Sequence, residues 1–582
     1  MTSETRSDMS EQRWLVDTEP STRLPVYTRL NASDVLSDPI TPLGADLGWI
    51  QNILPGWNFG YASFGSYSLA ESPDLTASAA IFYGHLYVNM SMSRLTGIRG
   101  GLPVELVDQL WYGGDPDIPP YVAHPDDENA DASQRLQARN AWALSTEDFP
   151  ELEEDRTLAD RLRTERPDLS VLTPAALVAR ARSVMPLERV AWRGEVVATN
   201  CSAVGPAVLG QLLGAEHQDL IVTLVGAAGD VDSALPSYAL WDLGRLARAN
   251  DRLMAAFDEG IEGVGARVHG IDSAFDAQLE QFLLDFGYRG PNEWDLGSVS
   301  WETRPELVLG LVDRLRLQDD AASPHARLAD HASATDTALK KAEDIVGDDA
   351  DGRATLTAAL ASARRFAAWR ERAKTNCIKV LHEARVPLVE LGRRLFSEGR
   401  LESADHVFMA VDAELDVLAS APESIAPVLA QRHRDWKELF GLELPTFLDG
   451  REAFPPLSSL ARKGQSAIES VQVGDVLQGS GASPGVTQGR TRVITSMAAL
   501  GEFEVGEILV APQTDPSWTP LFMVSGGAIT DVGAMGSHAM IVSRELGIAC
   551  AAGVQAATRR IPDGTLVEID GSKGTVTILE LT

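Results

Sequence analysis

Helical periodicity runs through the middle of this chain and then stops, and that break constrains its architecture more than any other feature. From about Thr173, Ala- and Leu-rich windows repeat apolar residues at helical spacing, as in Leu240-Leu243-Leu246 and Leu307-Val308-Leu311-Val312-Leu315. Such spacing sets an apolar stripe of each segment against a core. At Leu444-Pro445-Thr446-Phe447 the pattern ends, and Pro, Ser and Gly recur through Pro455-Pro456-Leu457-Ser458-Ser459 to about Ala467. Short strand-like runs follow at 471–477, 489–494, 508–511, 527–530, 565–570 and 574–579, with Pro562-Asp563-Gly564-Thr565 and Asp570-Gly571-Ser572-Lys573-Gly574 as turns. A strand-and-helix domain of about 115 residues, within the usual domain range, therefore follows a helical one.

The fold class read from this pattern is multidomain, α/β and α+β. Residues 1–13 read as a disordered start, 14–450 as a body that is mixed and then mainly helical, 451–467 as a linker, and 468–582 as the C-terminal domain. Within the body, the stretch before Thr173 reads as Pro- and Trp-rich and largely irregular, with short strands, and Asp126-Asp127-Glu128 reads as a solvated loop. A long helical region is expected from about Asp336 to Val380.

A formal charge of -33 on 582 residues disfavours nucleic acid and anionic membranes as partners. Cys201, Cys377 and Cys550 lie far apart and offer neither a metal-ligand spacing nor an even disulfide framework. The polar start Met1-Thr2-Ser3-Glu4 has no signal-peptide core, and no stretch of about 18 uncharged apolar residues is found. The expectation is a cytoplasmic protein without a membrane segment. Against this acidity, Arg364, Arg365, Arg370, Arg372, Lys374 and Lys379 concentrate positive charge on one helical stretch, as either a solvated face or a docking and phosphate-guiding surface.

His538 is the main candidate for chemistry. It follows the Gly-rich run Gly526-Gly527 to Gly533 and Gly536, and Ser537-His538 opens an apolar helix-competent segment ending at Arg544-Glu545-Leu546-Gly547. Unpaired N–H groups at a helix N-terminus favour a phosphoryl group carried on the ring.

The segment resembles the phosphohistidine loop of the phosphoenolpyruvate-utilising enzymes. Gly533, Ser537-His538-Ala539, Ile541-Val542, Arg544-Glu545 and Gly547-Ile548 match in order, while Ala534 and Gly536 depart from the form Gly-Gly-x-(Ser/Thr)-x-His. Gly481-Ala482-Ser483-Pro484-Gly485-Val486, Leu509-Val510-Ala511-Pro512 and Thr514-Asp515-Pro516-Ser517-Trp518-Thr519-Pro520 extend the likeness along the C-terminal domain. It resembles the family's swivelling β/β/α phosphohistidine domain. Upstream, Tyr27-Thr28-Arg29-Leu30-Asn31, Phe286 to Leu296, Trp301-Glu302, and Leu395 to Leu401 with Asp405 to Phe408 look like the substrate region of rifampicin phosphotransferase and of phenylphosphate synthase-like subunits.

The resemblance implies phosphate transfer through His538, with Gly533, Gly536, Ser537 and Arg544 shaping its loop. No Walker-type loop occurs and no ATP-grasp domain fits before Tyr27. The layout is similar to phenylphosphate synthase, in which a separate ATP-grasp subunit binds ATP. The expected cofactors are ATP on that partner and Mg²⁺ or Mn²⁺, with metal ligands unassigned. The expected acceptor is a small phenolic compound, phenol or a hydroxyaryl ketone. Arg289, Glu293 and Asp295 are candidate acceptor-site residues, arginine for phosphoryl oxygens and a carboxylate for a proton or a metal. Each fits a structural ion-pair corner as well. His382 and His85 are further base candidates, and Trp49, Trp57, Tyr61, Tyr83 and Tyr87 candidate pocket aromatics. A rifampicin-type antibiotic phosphotransferase and a non-catalytic docking protein are the alternative readings.

Overall fold

The body is assembled around one 48-residue helix, Ala350–Ser397, in a computed structural model that describes residues 13–582 except 31, 33–34, 114, 116, 215–216, 227–231, 233–234, 321–322, 464–469, 484, 496–502, 515–517 and 534–536. The long helical region expected from 336 divides into Pro324–Val346 and Ala350–Ser397. Gly347 causes the division by taking a φ of 66°, which glycine adopts readily and which ends the first helix. Pro174–Leu213 is by composition long and apolar enough to cross a membrane. Here it forms three helices, Pro174–Val184, Glu188–Cys201 and Val204–Leu213, each packed on the long helix.

The region before Thr173 is more helical than its composition implies. It contains Leu54–Phe64, Met90–Arg99, Val104–Tyr112, Ala130–Ser145 and Pro150–Thr164. Pro55 and Pro150 stand in first turns, where a missing N–H costs nothing, and Gly65 and Gly113 close helices at φ of 106° and 71°. The same residues that look like breakers in sequence are therefore caps. Asp127 likewise leaves the expected solvated loop. It is buried, pairs with Arg23, and accepts from Tyr121 Oη at 2.5 Å and His124 N at 2.8 Å.

A four-stranded sheet closes the other side of the body in the order β2 (Ala79–Phe82), β3 (His85–Asn89), β1 (Val26–Thr28), β4 (Phe447–Asp449). Tyr27 lies opposite Leu448, so the chain returns to its start before leaving the body. The stretch read as a linker stays packed until Lys463. Phe454 meets Phe82 edge-on at 4.9 Å, Tyr83 Oη donates to Pro455 O at 2.8 Å, Leu442 bridges Arg462, and Lys463 N donates to Gly441 O at 2.8 Å. Its Pro and Ser content suggested a tether, but Phe454, Leu457 and Leu460 supply apolar anchors.

The C-terminal domain is an eight-stranded sheet in the order β5 (Val476–Gln478), β12 (Thr575–Glu580), β11 (Leu566–Asp570), β7 (Val486–Val493), β8 (Ile508–Ala511), β9 (Gly527–Thr530), β10 (Cys550–Ala552), β6 (Ser480–Ser483). Strands β7 to β10 are parallel, with helices Thr519–Val524 and His538–Leu546 in the crossovers. Leu509, Phe522 and Met540 belong to one apolar cluster with Leu240, Phe257, Trp301 and Leu311 of the body. The domain is thus docked on the helices that surround residue 289.

Candidate functional site

Helix His538–Leu546 begins where the sequence places it, with Ser537 at the N-cap and Gly547 ending it at a φ of 67°. Two threonines seat the His538 ring: Thr514 Oγ1 lies 2.9 Å from Nδ1 and Thr519 Oγ1 3.2 Å from Nε2. A neutral imidazole gives one N–H to one hydroxyl and accepts from the other. Phe522 meets the ring edge-on at 6.0 Å. Gly533, with a φ of 144°, leaves room beneath, since a Cβ there would fall 2.9 Å from Ser537 Oγ. Ser537 Oγ is buried without a hydrogen-bond partner, and Arg544 Nε turns back to Met540 O at 3.0 Å. Gly536 and Ala534 lie outside the described residues.

The docked ring faces the body. Burial lowers its pKa first, Lys374 and Arg289 add to that, and Glu371 opposes them, leaving His538 at about 3. It is therefore neutral at physiological pH, the form that can attack phosphorus.

Arg289 is buried. It donates from Nη1 to Glu293 Oε1 at 3.0 Å and from Nη2 to Thr375 Oγ1 at 2.8 Å. Its guanidinium carbon lies 5.3 Å from the Tyr288 ring. Burial works against the Arg289 charge, and Glu293, Tyr288 and Glu371 overcome it, so its pKa is raised. Glu293 is the counter-charge that orients Arg289, and its second oxygen, Oε2, is buried without a partner. On the long helix, Arg370 and Lys374 stand one turn apart around Glu371. Burial works to raise Glu371, yet Arg370, Lys374 and Arg289 hold its carboxyl down to about 2. Lys374 is half-buried and makes no ion pair with a described residue.

Asp295 does not join this group. Its carboxylate accepts from Thr41 N at 3.0 Å and Thr41 Oγ1 at 2.7 Å, and from Gly297 N at 3.2 Å, and burial raises its pKa. It fixes the turn at 41–44 to the 295–297 segment. His382 accepts a structural part too, with Nε2 2.9 Å from Glu302, which Arg163 and Arg166 also bind. Burial chiefly drives its pKa down to about 3. His85 is buried beside β2, with Nδ1 2.7 Å from Tyr83 O. Tyr83 and Tyr87 hydroxyls donate to Pro455 O and Pro445 O, which assigns them to anchoring the return strand.

Trp49 and Trp57 join an aromatic wall inside the body's apolar core, with two partners distant in sequence. Trp57 lies 4.8 Å from Trp192, Trp192 5.0 Å from Trp294, and Trp49 6.0 Å from Trp192. Tyr61 and Glu195 connect this wall to the cations: burial raises both, Glu195 acts on Tyr61, and Lys374 and Arg370 act on Glu195. Thr514, Thr519, Glu195 and Glu371 were not singled out as site residues in the sequence. The alternation Arg370-Glu371-Arg372-Ala373-Lys374 was the available signal for Glu371.

Among the described residues no group of three or more His, Cys, Asp or Glu side chains is arranged to hold a metal ion. Lys374 and Arg289, which act on His538, are cations of the kind that bind the oxygens of a phosphoryl group.

Residues 195–371 match the rifampicin phosphotransferase fourth domain, and residues 503–574 match the mobile domain of the PEP-utilising enzymes. Rifampicin phosphotransferase of Streptomyces sviceus is 29% identical over 388 residues, covering 64% of this chain and 42% of that protein. The prodigiosin synthesizing transferase of Serratia marcescens is 30% identical over 319 residues, covering 52% of this chain and 33% of its own. Phosphoenolpyruvate synthase of Aeropyrum pernix is 36% identical over 169 residues, 29% of this chain and 18% of that enzyme. This chain thus spans well under half the length of each of these relatives. Two regions of this chain are thus similar to domains of rifampicin phosphotransferase and of the PEP-utilising enzymes, and the histidine helix lies inside the region that the mobile-domain model matches.

Proposed function

We propose that this chain is a phosphotransferase in which His538 carries a phosphoryl group from ATP, bound with Mg²⁺ (or Mn²⁺) by a separate ATP-grasp subunit, to the hydroxyl of a small phenolic compound. The observation that carries the reading is the docked ring of His538, neutral and set against Arg289, Lys374 and Glu371. In the first stage a ring nitrogen attacks the β-phosphorus of ATP, N–P forms as the bond to AMP breaks, and water then takes off the terminal phosphoryl group as inorganic phosphate, leaving phosphohistidine. In the second the acceptor oxygen attacks, O–P forms, N–P breaks, and the ring returns neutral. Arg289 and Lys374 would hold the phosphoryl oxygens through the second stage, where the charge they face develops. Glu195, raised by burial and set between the aromatic wall and the cations, would take the hydroxyl proton. A phenol of pKa about 10 gives it up readily during transfer.

The cluster of Trp192 with Trp49, Trp57 and Trp294 supports an aromatic acceptor. Incubation with the ATP-grasp partner, ATP, Mg²⁺ and a panel of phenols should yield an aryl phosphate with AMP and phosphate. No product with any phenol, or unchanged turnover in His538→Ala, would refute the reading.

The likeness to rifampicin phosphotransferases favours a second reading, phosphorylation of a large antibiotic. Rifampicin offered as the acceptor separates the two. Acid-labile labelling of His538 would count against a purely docking role.

A further inference from the structure

A cavity of about 320 Å³ lies between the docked domain and the body, outside the Arg289–Lys374 group. Arg29, Asp38, His85 and Lys463 line it from the body, Thr514 and Trp518 from the C-terminal domain. Its charges do not balance. Arg29 donates from Nη2 to Ser37 O at 3.1 Å, while Nη1 is enclosed and has no hydrogen-bond partner. Lys463 makes no ion pair with a described residue, and its backbone is pinned to Gly441. The one carboxylate, Asp38, already accepts from Asn292 Nδ2 at 2.6 Å and Ser37 Oγ at 3.3 Å. Among the described lining residues, enclosed Arg29 and solvent-reaching Lys463 stand against one engaged carboxylate, which leaves room for one anion.

His85 narrows the kind of anion. A carbonyl oxygen only accepts, so the 2.7 Å contact of Nδ1 with Tyr83 O places the ring proton on Nδ1. Nε2 is left as an acceptor, and burial keeps the ring neutral. The lining thus offers donors for anionic oxygens and one acceptor for an O–H, which matches a phosphate group near its second ionisation better than a carboxylate. Leu442 and Leu444 add an apolar wall for the remainder of the ligand.

Position gives the site a further role. Thr514, which holds Nδ1 of His538, is part of the lining, and Trp518 precedes Thr519, which holds Nε2. Close to Lys463, Arg559 of the C-terminal domain pairs with Glu443 of the body at 3.5 Å. We propose that this cavity binds a small phosphate monoester and that its occupancy holds the phosphohistidine domain in the docked pose.

Calorimetry on the full chain in a Lys374→Met background, with phenyl phosphate as probe, tests the site apart from the transfer side. One equivalent should bind, at least tenfold tighter than inorganic phosphate, and Arg29→Met or Lys463→Gln should each weaken it at least tenfold. Lys463→Gln changes a surface side chain and keeps the test meaningful if Arg29→Met fails to fold. No binding in that background, unchanged affinity in Lys463→Gln, or inorganic phosphate binding as tightly would overturn the assignment. Bound ligand should also slow hydrogen exchange on both walls, around Asp38 and around Thr514, and protection of one wall alone would overturn the latch. These measurements need neither ATP, partner nor turnover, so their failure is distinct from failure of the transfer reading.

Discussion

Lys374→Met isolates the phosphoryl clamp from the fold. Lys374 is half-buried and makes no direct ion pair among the described residues; Arg370 and Arg289 still face Glu371, and Arg370 still faces Glu195, when it is removed, so the expected stability change is about 1 kcal/mol, ordinary for a single substitution. Its ammonium acts on His538 and on Glu371. A unit charge about 4 Å from an anionic oxygen contributes about 4 kcal/mol at an effective dielectric near 20. Removing one such donor from a transition state typically costs roughly 2.7–4 kcal/mol, or about 100- to 1000-fold in rate. Single-turnover transfer from phosphorylated His538 should fall by that factor while the melting temperature holds. In parallel, the His538 titration followed by NMR should move up from about 3, since Lys374 is one of the groups depressing it. Transfer within threefold of the parent, with the protein folded, would refute the clamp. A collapse of stability would refute the premise that Lys374 is structurally idle.

Docking itself should depend on pH. His538 has a pKa of about 3 docked, against 6.5 for a free imidazole, so below pH 6.5 the released form binds a proton that the docked form refuses. Docked stability is then full above about 6.5 and falls by about 1.4 kcal/mol per pH unit toward 3, a trend that hydrogen exchange of helix His538–Leu546 would reveal and that His538→Gln should abolish. Gly533→Ala, in a strained φ and against Ser537 Oγ, should cost about 1–3 kcal/mol and reduce phospholabelling of His538 more than tenfold. Asp295→Ala should destabilise the body by about 2–3 kcal/mol through the stranded Thr41 and Gly297 donors, yet leave transfer by the folded fraction nearly unchanged. Denaturant melts and labelling with radioactive ATP check both variants.

The readable parts of this chain were those in which local chemistry and tertiary structure agree. Ser537 and Gly547 stand at the two ends of the helix as the sequence places them, and 508–511 and 527–530 became strands with the expected bounds. β6 and β10 were missed because Ser-Gly-Ala-Ser and Cys-Ala-Ala have neither alternation nor branched side chains, and only neighbours make them strands. Arg289 and Glu293 stand four residues apart in one turn-rich segment, near enough in sequence for their pairing to be read. Asp295 lies two residues on, and its partner Thr41 is 254 positions away. The tryptophan wall has the same difficulty, since Trp57, Trp192 and Trp294 meet only after folding.

The pairing of Leu442 with Arg462 bounds how far His538 could ever stand from the body. Lys463 N still donates to Gly441 O of the body, and Val471 N donates to Arg560 O of the C-terminal domain. Eight peptide steps at full extension reach no more than about 28 Å. For the transfer proposed above, a donor nucleotide would have to lie within that arc extended by the radius of the domain itself, and inserting a few Gly-Ser pairs between 463 and 471 should relax which donor geometries can serve His538.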